Sequence, residues 1–271
     1  MRKYEMEIEK RLKELGYDAK AEGIEKTNGI VKNSVIVRMP EERIGVTIYT
    51  DEMFEHGLDV DESVEKIVDL YNEHKNPPIP DTSFILSYET VKDKLTLRLY
   101  NKLTSADVKR SAASYGFDDL ILVPYIDLDM GAVKVKPEFL KIWKVSEDTV
   151  FEDAMNNLKS NVREQSMLDF LGYPKELFDP FAVRMMEFQK IVSNKTNMFG
   201  ASSILVLLDS FKAKYKDGFF VIPSSVHEVL VFPNDSMDAS EIDSMVEQVN
   251  RQCVSPEEVL GRKAYFFGCD H

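Results

Sequence analysis

The chain reads as an α+β protein, with mainly antiparallel sheets, helices packed on one face, and two intimately packed halves. Three observations lead there. Apolar residues recur at helical spacing in some segments, as Tyr4, Ile8, Leu12 and Leu15 do among charged neighbours. Elsewhere they run unbroken over the length of a strand, most clearly at Phe219-Phe220-Val221-Ile222, as expected of a strand covered on both faces. Finally, two pairs of such runs are joined by polar turns: residues 120–126 with 132–135, and 219–222 with 226–232. Each pair reads as a β-hairpin.

Taken in order, the first helix ends at Gly16, a natural C-terminal stop. Short strands are expected over Ser34–Met39 and Ile44–Thr50. A helix from Asp61 carries Val64, Ile67, Val68 and Tyr71 on one face and ends before Pro77-Pro78. Residues 75–81 read as a loop, and residues 87–100 as a helix followed by a strand. Ser146 caps a helix whose inward residues are Val150, Phe151, Ala154, Met155 and Leu158. The boundary between halves is placed at Trp143, giving residues 1–143 and 144–271. Residues 174–180 form a loop, 182–193 a strand, and 204–208 either a strand or a helix start. Ser240 caps a last helix with Ile242, Met245, Val246 and Val249 inward, and residues 263–267 form the final strand.

The chain of 271 residues is 44% hydrophobic, as in a globular protein, and has a net charge of −13. That charge disfavours direct nucleic-acid binding, which needs clustered Lys and Arg. No apolar run reaches the roughly 18 residues of a membrane span, and no signal-peptide core is evident. Cys253 and Cys269 are too few for a disulfide framework, so both are expected to be free thiols in a cytoplasmic protein. The four histidines form no paired metal motif, and no glycine pattern cradles a phosphate; no metal or cofactor is expected.

One polar cluster interrupts the second hairpin: Ser224, Ser225, His227 and Glu228. A hydrolase reading makes Ser225 the nucleophile and His227 the base, with Asn250 or a distant carboxylate completing the site. Ser224, Glu228 and Asn250 are then candidate binding residues. If strand geometry holds from Val226 onward, His227 and Glu228 point to opposite faces and do not form a dyad. The competing reading makes the serines turn residues and lets His227 and Glu228 anchor the hairpin by hydrogen bonds. Gly200-Ala201-Ser202-Ser203 permits either a close approach of two backbones or a pocket floor.

Several of these segments together resemble a known but uncharacterised family. They are Trp143-Lys144-Val145, residues 197–201 (NMFGA), residues 222–228 (IPSSVHE), Val249-Asn250 and residues 256–260. The family belongs to anaerobic Gram-positive gut bacteria, and its hairpin usually reads Leu-Pro-Ser-Ser-Ile-His-Glu, from which Ile222 and Val226 depart mildly. The resemblance implies that serine, histidine and glutamate form a recurring motif, and it brings no activity with it. The expected function is a non-enzymatic protein-binding or regulatory protein with an unknown protein partner. Two alternatives stay open: the hydrolase centred on Ser225 and His227, and an acidic inhibitor of a nucleic-acid-binding protein encoded by a mobile element.

Overall fold

Every strand pairing among the described residues is antiparallel, and helices cover the sheets, so the fold is α+β. The structure, a computed structural model, describes residues 2–42, 45–75, 83–128, 131–223, 225–234 and 239–268. The chain divides into two units, Met1–Asp81 and Thr82–His271. The Trp143-Lys144 junction lies inside the second.

In the first unit, α1 (Lys3–Glu14) leads into the sheet β1-β2-β3, formed by β1 (Asp18–Glu25), β2 (Val31–Arg38) and β3 (Val46–Tyr49). Then come α2 (Asp51–Glu55) and α3 (Val60–His74). Ile8 and Leu12 of α1 share a core with Val35 and Val37 of β2 and with Ile67 and Tyr71 of α3. Strand β1 escapes sequence reading because DAKAEGIE has one apolar β-branched residue and a glycine. Helix α3 starts one residue before the expected Asp61 site, behind a reciprocal cap in which Asp59 and Glu62 satisfy each other's backbone N–H. Leu15, expected on the inner stripe of α1, is exposed at the cap. Ile44 and the loop expected after Lys75 lie outside the described residues.

The second unit holds two sheets. The first joins β4 (Leu95–Asn101), β6 (Leu120–Leu128) and β5 (Arg110–Ser111), with β7 (Gly131–Lys134) also on β6. Short helix α4 (Tyr88–Val91) precedes β4, as the helix-then-strand pattern predicts. Helix α5 (Pro137–Trp143) ends at Lys144, whose φ of 57° is left-handed, and Trp143 donates its indole N–H to the Ile85 carbonyl. Helix α6 (Glu147–Asn161) is capped by the Ser146 hydroxyl and buries Val150, Phe151, Ala154 and Leu158.

The second sheet has the order β12-β10-β11-β9-β8. Its strands are β8 (Val162–Ser166), β9 (Lys190–Asn194), β10 (Phe219–Ile222), β11 (Val229–Pro233) and β12 (Tyr265–Phe267). The unbroken apolar run does place β10 in the interior of a sheet covered on both faces. Phe219 and Val221 enter the main core, while Phe220 and Ile222 join Phe232, Ile242 and Val246 in a second cluster. The last three of these come from β11 and from helix α10 (Ala239–Cys253).

Three expectations need correction. Residues 182–193 are not one strand: they are most of helix α8 (Pro180–Phe188) and the start of β9. Asp179 caps the N–H groups of Phe181 and Ala182, and Pro180 sits at the first helical position, so the Asp-Pro pair starts a helix where apolar content suggested a strand. Strand β11 starts at Val229, not Val226, which frees residues 225–228 from strand alternation. Val249 of α10 is exposed rather than inward. The ambiguous 204–208 stretch spans the end of a 3₁₀ turn (Ala201–Val206) and the start of α9 (Leu208–Lys214). Between β8 and α8 lies α7 (Met167–Leu171). The cap expected at Ser240, the inward Met245 and the thiols of Cys253 and Cys269 lie outside the described side chains.

Candidate functional site

The connection from β10 to β11 leaves the end of the sheet and is held on two sides. On one side, Val226 N–H donates to the Glu258 carbonyl (2.9 Å), Gly261 N–H donates to the Pro223 carbonyl (2.6 Å), and Ser225 bridges Val259. On the other, Gly200 and Ala201 N–H groups donate to the carbonyls of His227 (3.0 Å) and Val226 (3.2 Å). The Ser193 hydroxyl adds a bond to the His227 carbonyl at 2.7 Å. Gly200 is required here: a Cβ at that position would collide with the Asn194 backbone nitrogen and the Ser193 hydroxyl, and lie 2.9 Å from the His227 carbonyl. The small-residue run therefore serves close backbone approach.

His227 stands at the centre. Its Nδ1 accepts the Phe199 backbone N–H at 3.1 Å, which assigns a lone pair to that atom and the ring proton to Nε2. Nε2 faces the Glu258 carboxylate at 3.3 Å, and the Phe199 ring packs on the imidazole with centroids 5.2 Å apart. Phe199 itself has φ of 54° and Asn197 has φ of 55°. A left-handed phenylalanine is a strained conformation, costing on the order of 1–2 kcal/mol, and persists only where its surroundings hold it. Here the hold comes from His227 and from Asn194, whose amide accepts the Met198 N–H and donates to the Met198 carbonyl. Arg98 closes the stack, its guanidinium 4.0 Å from the Phe199 ring centroid and 4.3 Å from that of Tyr125, with Asp127 as ion-pair partner.

The predicted residues divide accordingly. Ser225 is buried, and its hydroxyl accepts the His227 backbone N–H at 3.0 Å; no bond joins that hydroxyl to the His227 ring. Glu228 is half-buried. Burial pushes its carboxyl above the usual range; nearby His227 and Ser225 oppose the rise, and the charge of Glu258 adds to it. Asn250 does not reach the histidine. It donates to the Gly261 carbonyl at 2.7 Å, tying α10 to the loop that brings Glu258, and its buried Oδ1 has no partner among the described residues. Ser224 lies outside the described residues. Sequence reading missed Arg98, Ser193, Phe199 and Glu258. Only the asparagine of NMFG, tolerant of left-handed backbone, hinted at the bend.

A model of the family of unknown function DUF5688 matches residues 1–268. The chain belongs to this family. No curated protein and no solved structure matches it. In this DUF5688 chain, three of the segments that carry the resemblance are neighbours in the fold: residues 197–201 and 256–260 each bond to residues 222–228, and Asn250 bonds Gly261 just after the last of them, whereas Trp143 bonds Ile85 elsewhere. Among the described residues, no three His, Cys, Asp or Glu side chains are grouped to hold a metal, and no helix is long and apolar enough to cross a membrane.

A second region of the DUF5688 chain stands out by its surface. Between edge strand β8 and β9, α7, α8 and the connection between them expose Phe170, Leu171, Tyr173, Leu177, Phe181 and Phe188, with Phe181 72% and Leu177 68% accessible. Helix α8 contains no buried residue. Isolated apolar side chains on a surface are ordinary; six large ones within nineteen residues are the pattern of a contact surface.

Proposed function

We propose that this protein is a non-enzymatic, cytoplasmic binding or regulatory protein of a bacterial host, and that it works by contact with a protein partner. The observation that carries this reading is the apolar surface of α7 and α8. Aromatic anchors of this kind are what dominate protein–protein contacts. The net charge of −13 favours a partner with a neutral or basic surface.

The Ser225–His227 hydrolase remains the alternative, and one point of geometry weighs against it. A general base needs a lone pair within reach of the hydroxyl it activates. The Nδ1 lone pair of His227 takes a backbone N–H, its Nε2 proton faces Glu258, and the Ser225 hydroxyl is engaged by backbone. These interactions support an anchoring role for Ser225 and His227.

The test is affinity capture from host lysate with the parent, a Leu177→Ser/Phe181→Ser double variant and Ser225→Ala, followed by mass spectrometry. The reading expects one protein retained by the parent and Ser225→Ala and lost by the double variant. Equal capture by the double variant would remove the surface from the account.

A further inference from the structure

The second unit contains a cleft of about 250 Å³ between α6 and the sheet formed by β4, β6 and β5. It lies where the two-residue strand β5, which pairs Leu122 and Ile121 of β6, comes beside α6. The floor is apolar: Leu97, Leu122, Phe151 and Met155. The rim is polar and carries both signs of charge: Arg110 from β5, Tyr115 after it, and Glu152 and Asn156 from α6.

The rim groups retain unused hydrogen-bonding capacity. Arg110 lies with its guanidinium carbon 4.1 Å from the Phe151 ring centroid, so its orientation is fixed by stacking. One of its N–H groups bonds Asp148 at 2.6 Å; a guanidinium has five donors, which leaves the others for a ligand. Asp148 is 80% exposed, so its hold on Arg110 is screened by solvent. Neither the Tyr115 hydroxyl nor the Glu152 carboxylate has a hydrogen bond or ion pair among the described residues, and Asn156 uses only its oxygen, toward Lys159.

The geometry points to a binding site for a small zwitterion with an apolar side chain, a free aliphatic α-amino acid. Arg110 takes the carboxylate in the charge-assisted manner that its fork favours. Glu152 and the Tyr115 oxygen take the ammonium, Asn156 donates a further bond, and the side chain lies on the apolar floor. The volume sits just below the range usual for drug-sized ligands, which suits an amino acid. A zwitterion also avoids the cost that a net anion meets at a protein of charge −13. This site is distinct from the α7–α8 surface and does not depend on it.

Calorimetric titration of the full chain tests the assignment, with L-leucine, L-methionine, 4-methylpentanoate (no ammonium) and 3-methylbutan-1-amine (no carboxylate). Leucine or methionine binds, and loss of either charged group weakens binding by about tenfold or more, the scale of one charge-assisted hydrogen bond. Arg110→Gln weakens leucine to the same extent while leaving the amine unchanged; Glu152→Gln weakens leucine while leaving 4-methylpentanoate unchanged. Both substitutions are at the rim, and thermal melts matching the parent confirm that the variants fold. Absence of heat with either amino acid at millimolar concentration overturns the proposal, as does leucine affinity indifferent to Arg110→Gln.

Discussion

The segments around His227 and the helices α7 and α8 depend on the same sheet, through β9 and β11 at one end and β8 at its edge, and they treat their side chains in opposite ways. Around His227, polar groups from separate stretches of sequence converge: Ser193, Phe199 and Ser225 bond to the histidine or its backbone, and Glu258 faces its ring at 3.3 Å. On α7, α8 and the connection between them, large apolar groups are left exposed to solvent. The residues that look like chemistry hold the fold together, and residues that look like core form the surface most suited to a partner. A buried polar group is costly unless it is bonded, which is why the histidine cluster is so fully engaged. Apolar surface left in water is costly too, and it persists where a partner covers it.

This contrast can be sharpened from the largest expected effect downward. Ile222→Ala, which removes an aliphatic group between β11 and α10, should cost about 2–5 kcal/mol in denaturant unfolding. The exposed Lys214→Ala should stay within about 0.5 kcal/mol, since its ion pair with Glu164 spans 3.9 Å at the surface. Comparable midpoints for the two would show that β10 is not central. Gly200→Ala should cost about 1–3 kcal/mol by forcing apart the backbones at His227 and Asn194; a neutral result would mean that those chains are not in close contact.

Leu177→Ser and Phe181→Ser should alter stability by no more than about 0.5 kcal/mol, because both side chains are already in water. A large loss for either would place it in a core and remove the contrast. The smallest effect concerns Glu228. Its carboxyl titrates above the usual range in the folded chain, so folding favours the protonated form. The sign follows: the contribution to stability is fully present below the ordinary carboxylate pKa and is lost as pH rises through the raised value. Glu228→Gln should therefore be slightly more stable than the parent at neutral pH, with the difference vanishing in acid. Melts from pH 4 to 7 on the order of one unit apart check this, and a difference that grows in acid would contradict it.

The sequence makes the two regions unequally legible. Unbroken apolar character identifies β10, and the stripe Val150, Phe151, Ala154 and Leu158 identifies α6, because local periodicity reports local structure. The polar motif is visible too, but its meaning depends on partners 28 to 34 residues away along the chain, and no local pattern encodes Phe199 or Ser193 as neighbours of His227. Helix α8 was hidden for a different reason. None of its apolar residues is fully buried, so the strongest signal for it was the Asp-Pro cap.

The most direct measurement is the thermal melt of His227→Ala beside His227→Asn and Ser225→Ala. Loss of the imidazole leaves the N–H of the strained Phe199 without its acceptor, a cost of about 1–3 kcal/mol. Asparagine, which offers an acceptor near the Nδ1 position, should recover part of that loss, and Ser225→Ala should cost less than His227→Ala because water can replace a turn hydroxyl. A His227→Ala chain that melts with the parent would contradict the anchor and bring the hydrolase forward.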